Sequence, residues 1–342
     1  MHILIYGTGA VGGMLGTRLA LAGENVTFLT RPQYKAQLSQ GFTLDMAQGS
    51  LTLEHPTVAS SLQEVERPID VTLLCTKAYD LQAALLDLQQ HGVHATFVSF
   101  LNGVESERHI GDIFGDDNVV PATLTSAVSR PSINHVILSR ERGVGFGGSH
   151  PLVQELARRF EAAGFFTRTY RSGEDMKWSK MLSNITANAV AAILGWPAGQ
   201  VFSCDTTYHL ELLALKEALS VMRALGANVV PLPRLPLHLL PPALALPNGI
   251  LRPVLQRMVA GGRGGKPPSF SFDIQRGRSE VGWLNGAIAR LGREQAIPAP
   301  VNEALTIILM DLVEGRREPA SLRDNPDALA GYIHKHRQAA VS

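Results

Sequence analysis

The chain has 342 residues, of which 31 are Lys or Arg, 30 are Asp or Glu, and 45% are hydrophobic. Its length predicts about two domains. The balanced charge does not favour nucleic acid or an anionic membrane as partner, and no uncharged apolar run approaches the roughly 18 residues that span a bilayer. Cys75 and Cys204 are far apart in the sequence, so neither a disulfide framework nor a CxxC metal site is indicated. We therefore expect a soluble cytoplasmic protein.

A glycine-rich stretch follows the first apolar run, Ile3–Tyr6, and precedes apolar residues at helical spacing. This order predicts a strand, a tight turn and a helix, the context in which GxGxxG binds a dinucleotide. Gly7 permits the turn, Gly9 lets the backbone approach a diphosphate, and Gly12 lets the helix pack on the strand. The alternative is a turn without a ligand. We predict a dinucleotide-binding loop formed by Gly7, Thr8, Gly9, Ala10, Val11 and Gly12.

The first half of the chain alternates short apolar runs with helical patterns, as in a parallel sheet covered by helices on both faces. The predicted strands are Ile3–Tyr6, Val26–Leu29, Val71–Cys75, Thr96–Ser99, Val119–Thr123 and Phe165–Tyr170. In an open α/β sheet the ligand lies beyond the carboxyl ends of the strands. Residues 1–167 are therefore predicted to form a Rossmann-type, doubly wound α/β domain that binds the dinucleotide.

Beyond residue 170 the pattern changes to long helical periodicity with little strand signal. The predicted helices are Glu174–Leu194, Val201–Leu225, Val281–Leu291 and Val301–Val313. Between them, the proline-rich stretch Val229–Leu255 resists a single regular element. Residues 168–342 are therefore predicted to form an all-α domain that binds substrate. Its broad apolar helix faces exceed what a small bundle buries alone, so we expect a homodimer through this domain.

The end of the second predicted strand, Leu29-Thr30-Arg31, bears on the choice of cofactor. An NAD site of this type usually places Asp or Glu about 20 residues beyond the glycines to hold the ribose 2′-hydroxyl. Here an arginine replaces the acid, and a guanidinium suits a 2′-phosphate. Arg31 therefore favours NADPH, the alternative being a solvated surface arginine. Lys77, after the third strand, is a candidate for a second charge near that phosphate.

Three polar residues, Lys180, Asn184 and Asn188, recur every four residues in an otherwise apolar helical segment. This spacing places them on one helix face. A solvated stripe is the ordinary interpretation, but asparagine is a poor helix former and is unusual on such a stripe. An ammonium beside two amides suits a carbonyl substrate, because the lysine can protonate the oxygen while the amides orient it.

A second polar cluster runs from Ser269 to Asp273 and continues at Arg278-Ser279-Glu280. Capping by Ser279 and the helix dipole at Glu280 are sufficient ordinary explanations for this pattern. His91 and His94 lack partners at metal-ligand spacing, and we predict no metal site.

Taken together, these motifs resemble the ketopantoate reductase (2-dehydropantoate 2-reductase) family along nearly the whole chain. The resemblance implies an NADPH-dependent reduction of the C2 ketone of a 2-oxo acid, with ketopantoate and pantothenate biosynthesis as the leading assignment. It implies that Arg31 and Lys77 lie near the 2′-phosphate and Asn102 near the nicotinamide ribose. It rests on Gly7-x-Gly9-x-x-Gly12, Arg31, Thr76-Lys77-Ala78, Asn102-Gly103, Lys180-x-x-x-Asn184-x-x-x-Asn188 and Ser269-x-x-x-Asp273 to Glu280.

The resemblance also implies roles in the helical domain. Lys180 would be the general acid, and Glu280 would hydrogen-bond the reacting or a neighbouring hydroxyl. Asn184 and Asn188 would orient the substrate, and Ser269 would meet its carboxylate. The helical domain would therefore supply the side chains that recognise and protonate the 2-oxo acid.

Departures from the family pattern concern the substrate. Pro197-Ala198-Gly199 stands where the family commonly has Pro-Asn-Gly, and Gly282 stands where an aspartate commonly follows the glutamate. The interval from Asp273 to Glu280 is one residue shorter than usual. Ala198 lacks the amide that is expected to hold a substrate hydroxyl. Without that hydrogen bond the site discriminates less between substrates that carry the hydroxyl and analogues that lack it. One alternative is therefore a reductase of another 2-oxo acid or related carbonyl compound; a less favoured one is a catalytically silent NADPH-binding sensor.

Overall fold

The structure, a computed structural model, describes residues 1–263 and 267–339. The chain divides into two compact units. The first holds Met1–Lys177 together with Pro231–Pro236, and the second holds Trp178–Val230 and the chain from Leu237 onward. The strands lie in the first unit, and the described part of the second unit is helical. The predicted fold class, a Rossmann-type sheet domain followed by a helical domain, is confirmed.

The strands follow from short apolar or alternating runs. They are β1 His2–Tyr6, β2 Asn25–Leu29, β3 Phe42–Met46, β4 Gly49–Leu53, β5 Thr57–Ala59, β6 Val71–Leu74, β7 Thr96–Ser99, β8 Val119–Leu124, β9 Ala127–Ser132, β10 His135–Arg140, β11 Val144–Gly147 and β12 Thr167–Tyr170.

The large sheet has the order β12-β11-β8-β7-β6-β1-β2-β5. Its neighbouring strands are parallel except for β8 and β11, which run antiparallel. The central strands are continuous apolar runs because helices cover both faces, and Ile3, Leu4 and Ile5 are all 0% exposed. The predicted strands of the nucleotide-binding half match β1, β2, β6, β7, β8 and β12.

A second sheet, with the order β4-β3-β10-β9, was not predicted. Strand β10 pairs parallel with β3 and antiparallel with β9, with register shifts along the β9 pairing. The outer strands of this sheet are largely exposed and carry little apolar alternation. The period-2 signal that identifies a half-buried strand is therefore weak in them.

The helices of the described chain begin and end as follows. They are α1 Ala10–Leu21, α2 Pro32–Leu38, α3 Leu81–Gln90, α4 Ser106–Phe114, α5 Val153–Ala162, α6 Gly173–Ile185, α7 Ala189–Leu194, α8 Asp205–Ala224, α9 Leu240–Ala243, α10 Asn248–Arg263, α11 Ser269–Arg276, α12 Asn285–Glu294, α13 Pro300–Val313 and α14 Pro326–Ala339.

The predicted helix Glu174–Leu194 is wrong at its centre, because α6 ends at Ile185 and α7 begins at Ala189. Between them Ala187 has a left-handed backbone, with φ of 49°. The Ala187 N–H donates to a carboxylate oxygen of Glu211, at 2.9 Å. Glu211 lies on α8 and is 2% exposed. A buried carboxylate from a neighbouring helix therefore replaces the helical hydrogen bond at this break.

Two other helix predictions are displaced at their starts. The chain before α8 forms a 3₁₀ helix at Ala198–Phe202, and the chain before α12 forms another at Val281–Trp283. The stretch 229–255 contains α9 and the first part of α10, consistent with its predicted lack of a single element. Within the described ranges, no helix combines the length and apolarity needed to cross a membrane.

Candidate active site

Four turns follow neighbouring strands of the large sheet, in the order β7, β6, β1 and β2. Strand β1 leads into the glycine loop, β2 into Arg31, β6 into Lys77 and β7 into Asn102. Because parallel strands end at the same edge, these turns lie side by side at the carboxyl edge of the sheet. This is where an open α/β sheet binds its ligand. The structure thus brings the predicted cofactor residues to one edge, while their individual roles remain predictions.

The glycines of the loop meet different requirements. Gly7 has φ of 102°, a backbone conformation that side chains other than glycine rarely adopt. A Cβ atom on Gly12 would lie 2.3 Å from the Gly7 carbonyl oxygen and 2.8 Å from Cγ2 of Ile5. Gly7 is therefore required by the turn, and Gly12 is required by the packing of the helix on the strand.

Gly9 is not required by the protein's own packing. A Cβ atom there would meet no protein atom within 4 Å, and its φ of −87° is open to any residue. The glycine therefore leaves space at the amino end of α1, where the first N–H groups of a helix favour an anion. This cradle fits the diphosphate of a nicotinamide dinucleotide.

A pair of substitutions separates these two requirements. We expect Gly9→Ala to keep the melting temperature close to the parent value and to weaken dinucleotide binding by about tenfold or more, which is about 1.4 kcal/mol. Gly12→Ala should instead lower the melting temperature, because its methyl group overlaps the Gly7 carbonyl. Thermal unfolding and cofactor titration check both. Equal melting temperatures for the two variants would contradict this division of roles.

Arg31, Lys77 and Asn102 occupy comparable positions after their strands. Arg31 is exposed and immediately precedes α2, and Lys77 is half-buried and immediately precedes a 3₁₀ helix at Ala78–Asp80. Asn102 is half-buried and is followed by Gly103, whose φ is 96°. Each of the three therefore lies in a turn at the ligand edge rather than within an element.

Cys75, below the glycine loop, is not a candidate nucleophile. Burial raises the pKa of its thiol, which disfavours the reactive thiolate. Its backbone carbonyl carbon would lie 2.9 Å from a Cβ atom on Gly7. The residue thus packs under the loop as a small apolar side chain.

On the second unit, Lys180 and Asn184 share one face of α6. Both are half-buried, while the flanking Met181, Leu182 and Ile185 are buried. The four-residue spacing places these two polar side chains together on the helix, and Ser183 beside them is also half-buried. This arrangement suits a bound polar substrate as well as a solvated face.

Asn188 does not continue that face by helical geometry, because the helix breaks before it. Its Nδ2 donates to the Asn184 carbonyl oxygen at 3.0 Å and to the Ser269 hydroxyl at 2.9 Å. Its Oδ1 accepts from the Phe270 N–H at 3.4 Å. Asn188 is 2% exposed. The break at Ala187 therefore joins Asn188 and Ser269, which are 81 residues apart.

Ser269 is the first residue of α11, directly after Pro268. The amino end of a helix favours negative charge, and a serine hydroxyl there adds a donor. The position is suited to a substrate carboxylate.

Glu280 is held by Asp273, which the sequence reasoning did not assign as a site residue. An Asp273 carboxylate oxygen accepts from the Glu280 N–H at 3.2 Å and from the Ser279 hydroxyl at 3.1 Å. Asp273 and Glu280 are 3% and 4% exposed. Asp273 thus fixes the backbone of the turn that carries Glu280. Its spacing from Glu280 was visible in the sequence, but its contact was not.

Lys177 differs sharply from Lys180, although both lie on α6. Its Nζ lies 2.6 Å from the Leu101 carbonyl oxygen and 2.8 Å from a carboxylate oxygen of Glu107, and the residue is 3% exposed. Lys177, Leu101 and Glu107 all belong to the first unit, so these contacts lie within that unit. Lys177 is therefore engaged by a carbonyl oxygen and by the Glu107 carboxylate, which is 16% exposed. The role of Lys180 as general acid stays a prediction.

In residues 1–263 and 267–339, no group of three or more His, Cys, Asp and Glu side chains is arranged to hold a metal ion.

Comparison with known proteins decides the family. A family model described as Ketopantoate reductase PanE/ApbA matches residues 3–149, and the corresponding C-terminal model matches residues 174–313. The chain belongs to the ketopantoate reductase family. It is 26% identical over 308 residues to the 2-dehydropantoate 2-reductase of Pyrococcus horikoshii, a match that covers 88% of this chain and 94% of the relative.

Solved structures agree with this family assignment. A PanE/ApbA family ketopantoate reductase from Ralstonia eutropha JMP134 has a TM-score of 0.79 at 25% identity, covering 93% of this chain and all of that one. D-mandelate dehydrogenase, solved with NADH and anilino(oxo)acetate, has a TM-score of 0.77 at 19% identity, covering 92% of this chain and 99% of that one. The second likeness shows the fold alone. The family comprises oxidoreductases that use a nicotinamide dinucleotide, which fits the cradle at Gly9.

Proposed function

We propose that this protein reduces the C2 ketone of 2-dehydropantoate (ketopantoate) to the hydroxyl of pantoate with NADPH, as a step of pantothenate biosynthesis. The observation that carries the proposal is the contact between Asn188 and Ser269 beside the face that presents Lys180 and Asn184. This cluster combines a cationic proton donor, two amides and a hydroxyl at a helix start. These are the groups that a substrate with a ketone and a carboxylate requires.

The roles of the side chains follow from their chemistry. Lys180 donates a proton to the ketone oxygen as negative charge develops on it. Asn184 holds the substrate by its amide, and Ser269 hydrogen-bonds its carboxylate at the start of α11. Asn188 was expected to orient the substrate directly, but it is buried and its amide is used by Asn184, Ser269 and Phe270, so it positions the Ser269 hydroxyl instead. Glu280, fixed through its backbone, accepts a hydrogen bond from a substrate hydroxyl. NADPH, when bound, would supply a hydride, which is one proton with two electrons, to the carbonyl carbon, and Lys180 supplies the second proton to the oxygen.

The direct test is NADPH oxidation by the purified protein, followed by the cofactor's absorbance. Ketopantoate is compared with branched, unbranched and aromatic 2-oxo acids at matched concentrations. We expect ketopantoate to give the highest kcat/KM. Turnover of another 2-oxo acid with little turnover of ketopantoate would show that the proposed substrate is wrong and the proposed reaction class is right.

The second candidate function, reduction of a different 2-oxo acid, is favoured by Ala198. Ala198 is 3% exposed in a 3₁₀ helix, at the place where the family commonly has an asparagine. A methyl group there cannot donate or accept a hydrogen bond. A substrate without the corresponding hydroxyl would lose nothing at this position, whereas ketopantoate would lose one contact.

Cofactor preference yields a separate prediction. Arg31→Ala should raise the Kd of NADPH by about 10- to 100-fold, since a hydrogen bond to a charged group contributes about 1.5–3 kcal/mol. The Kd of NADH should change little, because NADH has no 2′-phosphate. Fluorescence titration measures both constants. Lys35→Ala is the matched control, because Lys35 lies on α2 and its Nζ is paired with Glu64 at 2.9 Å. An equal rise in the Kd of NADPH and the Kd of NADH would rule out a contact between Arg31 and the 2′-phosphate.

We also propose that the protein forms a homodimer. The apolar faces of α8 and α13 are buried within the second unit, where Leu215, Val221 and Leu309 are 0% exposed. Most of the apolar surface from which the sequence predicted a dimer is thus covered within the unit, and Ile307 of α13, which is 46% exposed, is an apolar side chain that a partner could cover. Sedimentation velocity of the purified protein checks the assembly, and a single monomeric species would contradict it.

A further inference from the structure

An arginine from the second sheet reaches the glycine loop. Arg130 lies on β9, and its Nη1 donates to the carbonyl oxygen of Thr8 at 2.7 Å across 122 residues of sequence. The Arg130 side chain is exposed. Thr8 lies between the first two glycines of the loop, so this contact places a guanidinium at the turn that was matched above to a diphosphate.

The second sheet is placed there by its packing on α1. A Cβ atom on Gly13 would lie 3.1 Å from Val136 of β10 and 3.5 Å from Phe42 of β3. The missing side chain at Gly13 therefore lets this sheet approach the first turn of α1. Strand β9, next to β10, then carries Arg130 to the loop.

The contact helps to fix the orientation of one peptide group in the loop. The Thr8 carbonyl accepts from Arg130, while the Gly9 N–H of the same peptide donates to the Gly7 carbonyl oxygen at 2.9 Å. The Thr8 hydroxyl donates to the Leu29 carbonyl oxygen at 2.7 Å. Thr8 is thus held by β2 on one side and by the second sheet on the other. A loop fixed in this way loses less conformational entropy when it binds a ligand.

The glycine loop itself offers a diphosphate no positive side chain. The loop Gly7–Gly12 has no charged side chain, and the basic residue of α1, Arg18, lies in its last turn. A diphosphate carries negative charge that backbone N–H groups do not neutralise. A guanidinium stays protonated and presents five N–H donors suited to phosphate oxygens.

We propose that Arg130 is a cofactor-binding residue that serves the diphosphate of the dinucleotide, the part that NADH and NADPH share. The proposal rests on the proposed function only in that the protein binds a nicotinamide dinucleotide. It assigns the two arginines different tasks. Arg31 distinguishes the cofactors, and Arg130 binds both.

The test measures the Kd of NADPH, NADH and adenosine 2′-phosphate for the full chain by titration or competition, without any 2-oxo acid. Arg130→Ala should raise the Kd of NADPH and NADH by the same factor, about tenfold or more, and leave that of adenosine 2′-phosphate unchanged. Arg31→Ala should raise the Kd of NADPH and of adenosine 2′-phosphate and leave the Kd of NADH unchanged. Arg140→Ala, at an exposed arginine of β10, is the matched control and should change none of the three.

Arg130→Gln tests the charge, because it replaces the guanidinium by a neutral amide that is still a hydrogen-bond donor. We expect this variant to bind both dinucleotides weakly and to have lost part of the salt dependence of binding. Unchanged Kd values in Arg130→Ala, a loss confined to NADPH, or full recovery in Arg130→Gln would each overturn the proposal. Because no oxo acid is present, failure to reduce ketopantoate would overturn the proposed substrate without affecting this result.

Discussion

Lys180→Ala should lower kcat/KM for the 2-oxo acid by about 10²- to 10⁴-fold, the usual contribution of a positioned general acid. NADPH should still bind, because the predicted cofactor residues lie in the turns of the large sheet rather than on this face of α6. Steady-state kinetics and cofactor titration on the same preparation measure both effects. A loss of turnover with intact cofactor binding assigns the proton to Lys180.

The companion variants make this result specific. Lys180→Arg keeps the positive charge, but its pKa above about 12 makes it a poor proton donor, so its kcat should stay low even where KM recovers. Lys216→Ala, at an exposed lysine of α8, should leave turnover unchanged. Near-normal kcat in Lys180→Ala would show that another group is the acid. If the parent protein binds NADPH and reduces none of the oxo acids, the sensor hypothesis is correct instead.

Lys177→Met should destabilise the protein by about 3 kcal/mol, although it lies only three residues from Lys180. Removing one partner of a buried ion pair leaves the other charge without compensation, which typically costs about 3–5 kcal/mol. Glu107 is 16% exposed, so the lower end of that range applies. Urea unfolding at constant pH measures the change in the free energy of unfolding.

Two further variants test that explanation. The double variant Lys177→Met with Glu107→Gln removes both charges and should recover part of the lost stability. Lys35→Met removes an ion pair whose side chains are 40% and 39% exposed, and should cost less than about 1 kcal/mol. Equal destabilisation by Lys177→Met and Lys35→Met would show that burial of the Lys177 pair has no energetic role.

The two experiments also distinguish lysines that look alike in the sequence. Lys177 and Lys180 lie in the same helical segment, and spacing to Asn184 and Asn188 was the reason for choosing Lys180. The structure adds that Lys177 is held by Glu107 and the Leu101 carbonyl. Lys177 should therefore affect stability, whereas Lys180 should affect turnover.

Features that depend on residues close together in the chain could be predicted from the sequence. The strand, glycine turn and helix at Ile3–Gly12 were predictable because local backbone rules govern a contiguous stretch. The strands β1, β2, β6, β7 and β8 were predicted for the same reason, and with them the edge at which Arg31, Lys77 and Asn102 lie. The face shared by Lys180 and Asn184 required only the helical period.

Contacts between distant segments could not be predicted, because they depend on how the elements pack. The helix break at Ala187 depends on a Glu211 carboxylate 24 residues away, and it brings Asn188 to Ser269. Arg130 meets Thr8 because a sheet with weak strand signals packs against α1. Helical propensity and period contain no information about a partner on another element. A buried carboxylate or carbonyl has to find a donor somewhere, and packing selects which one.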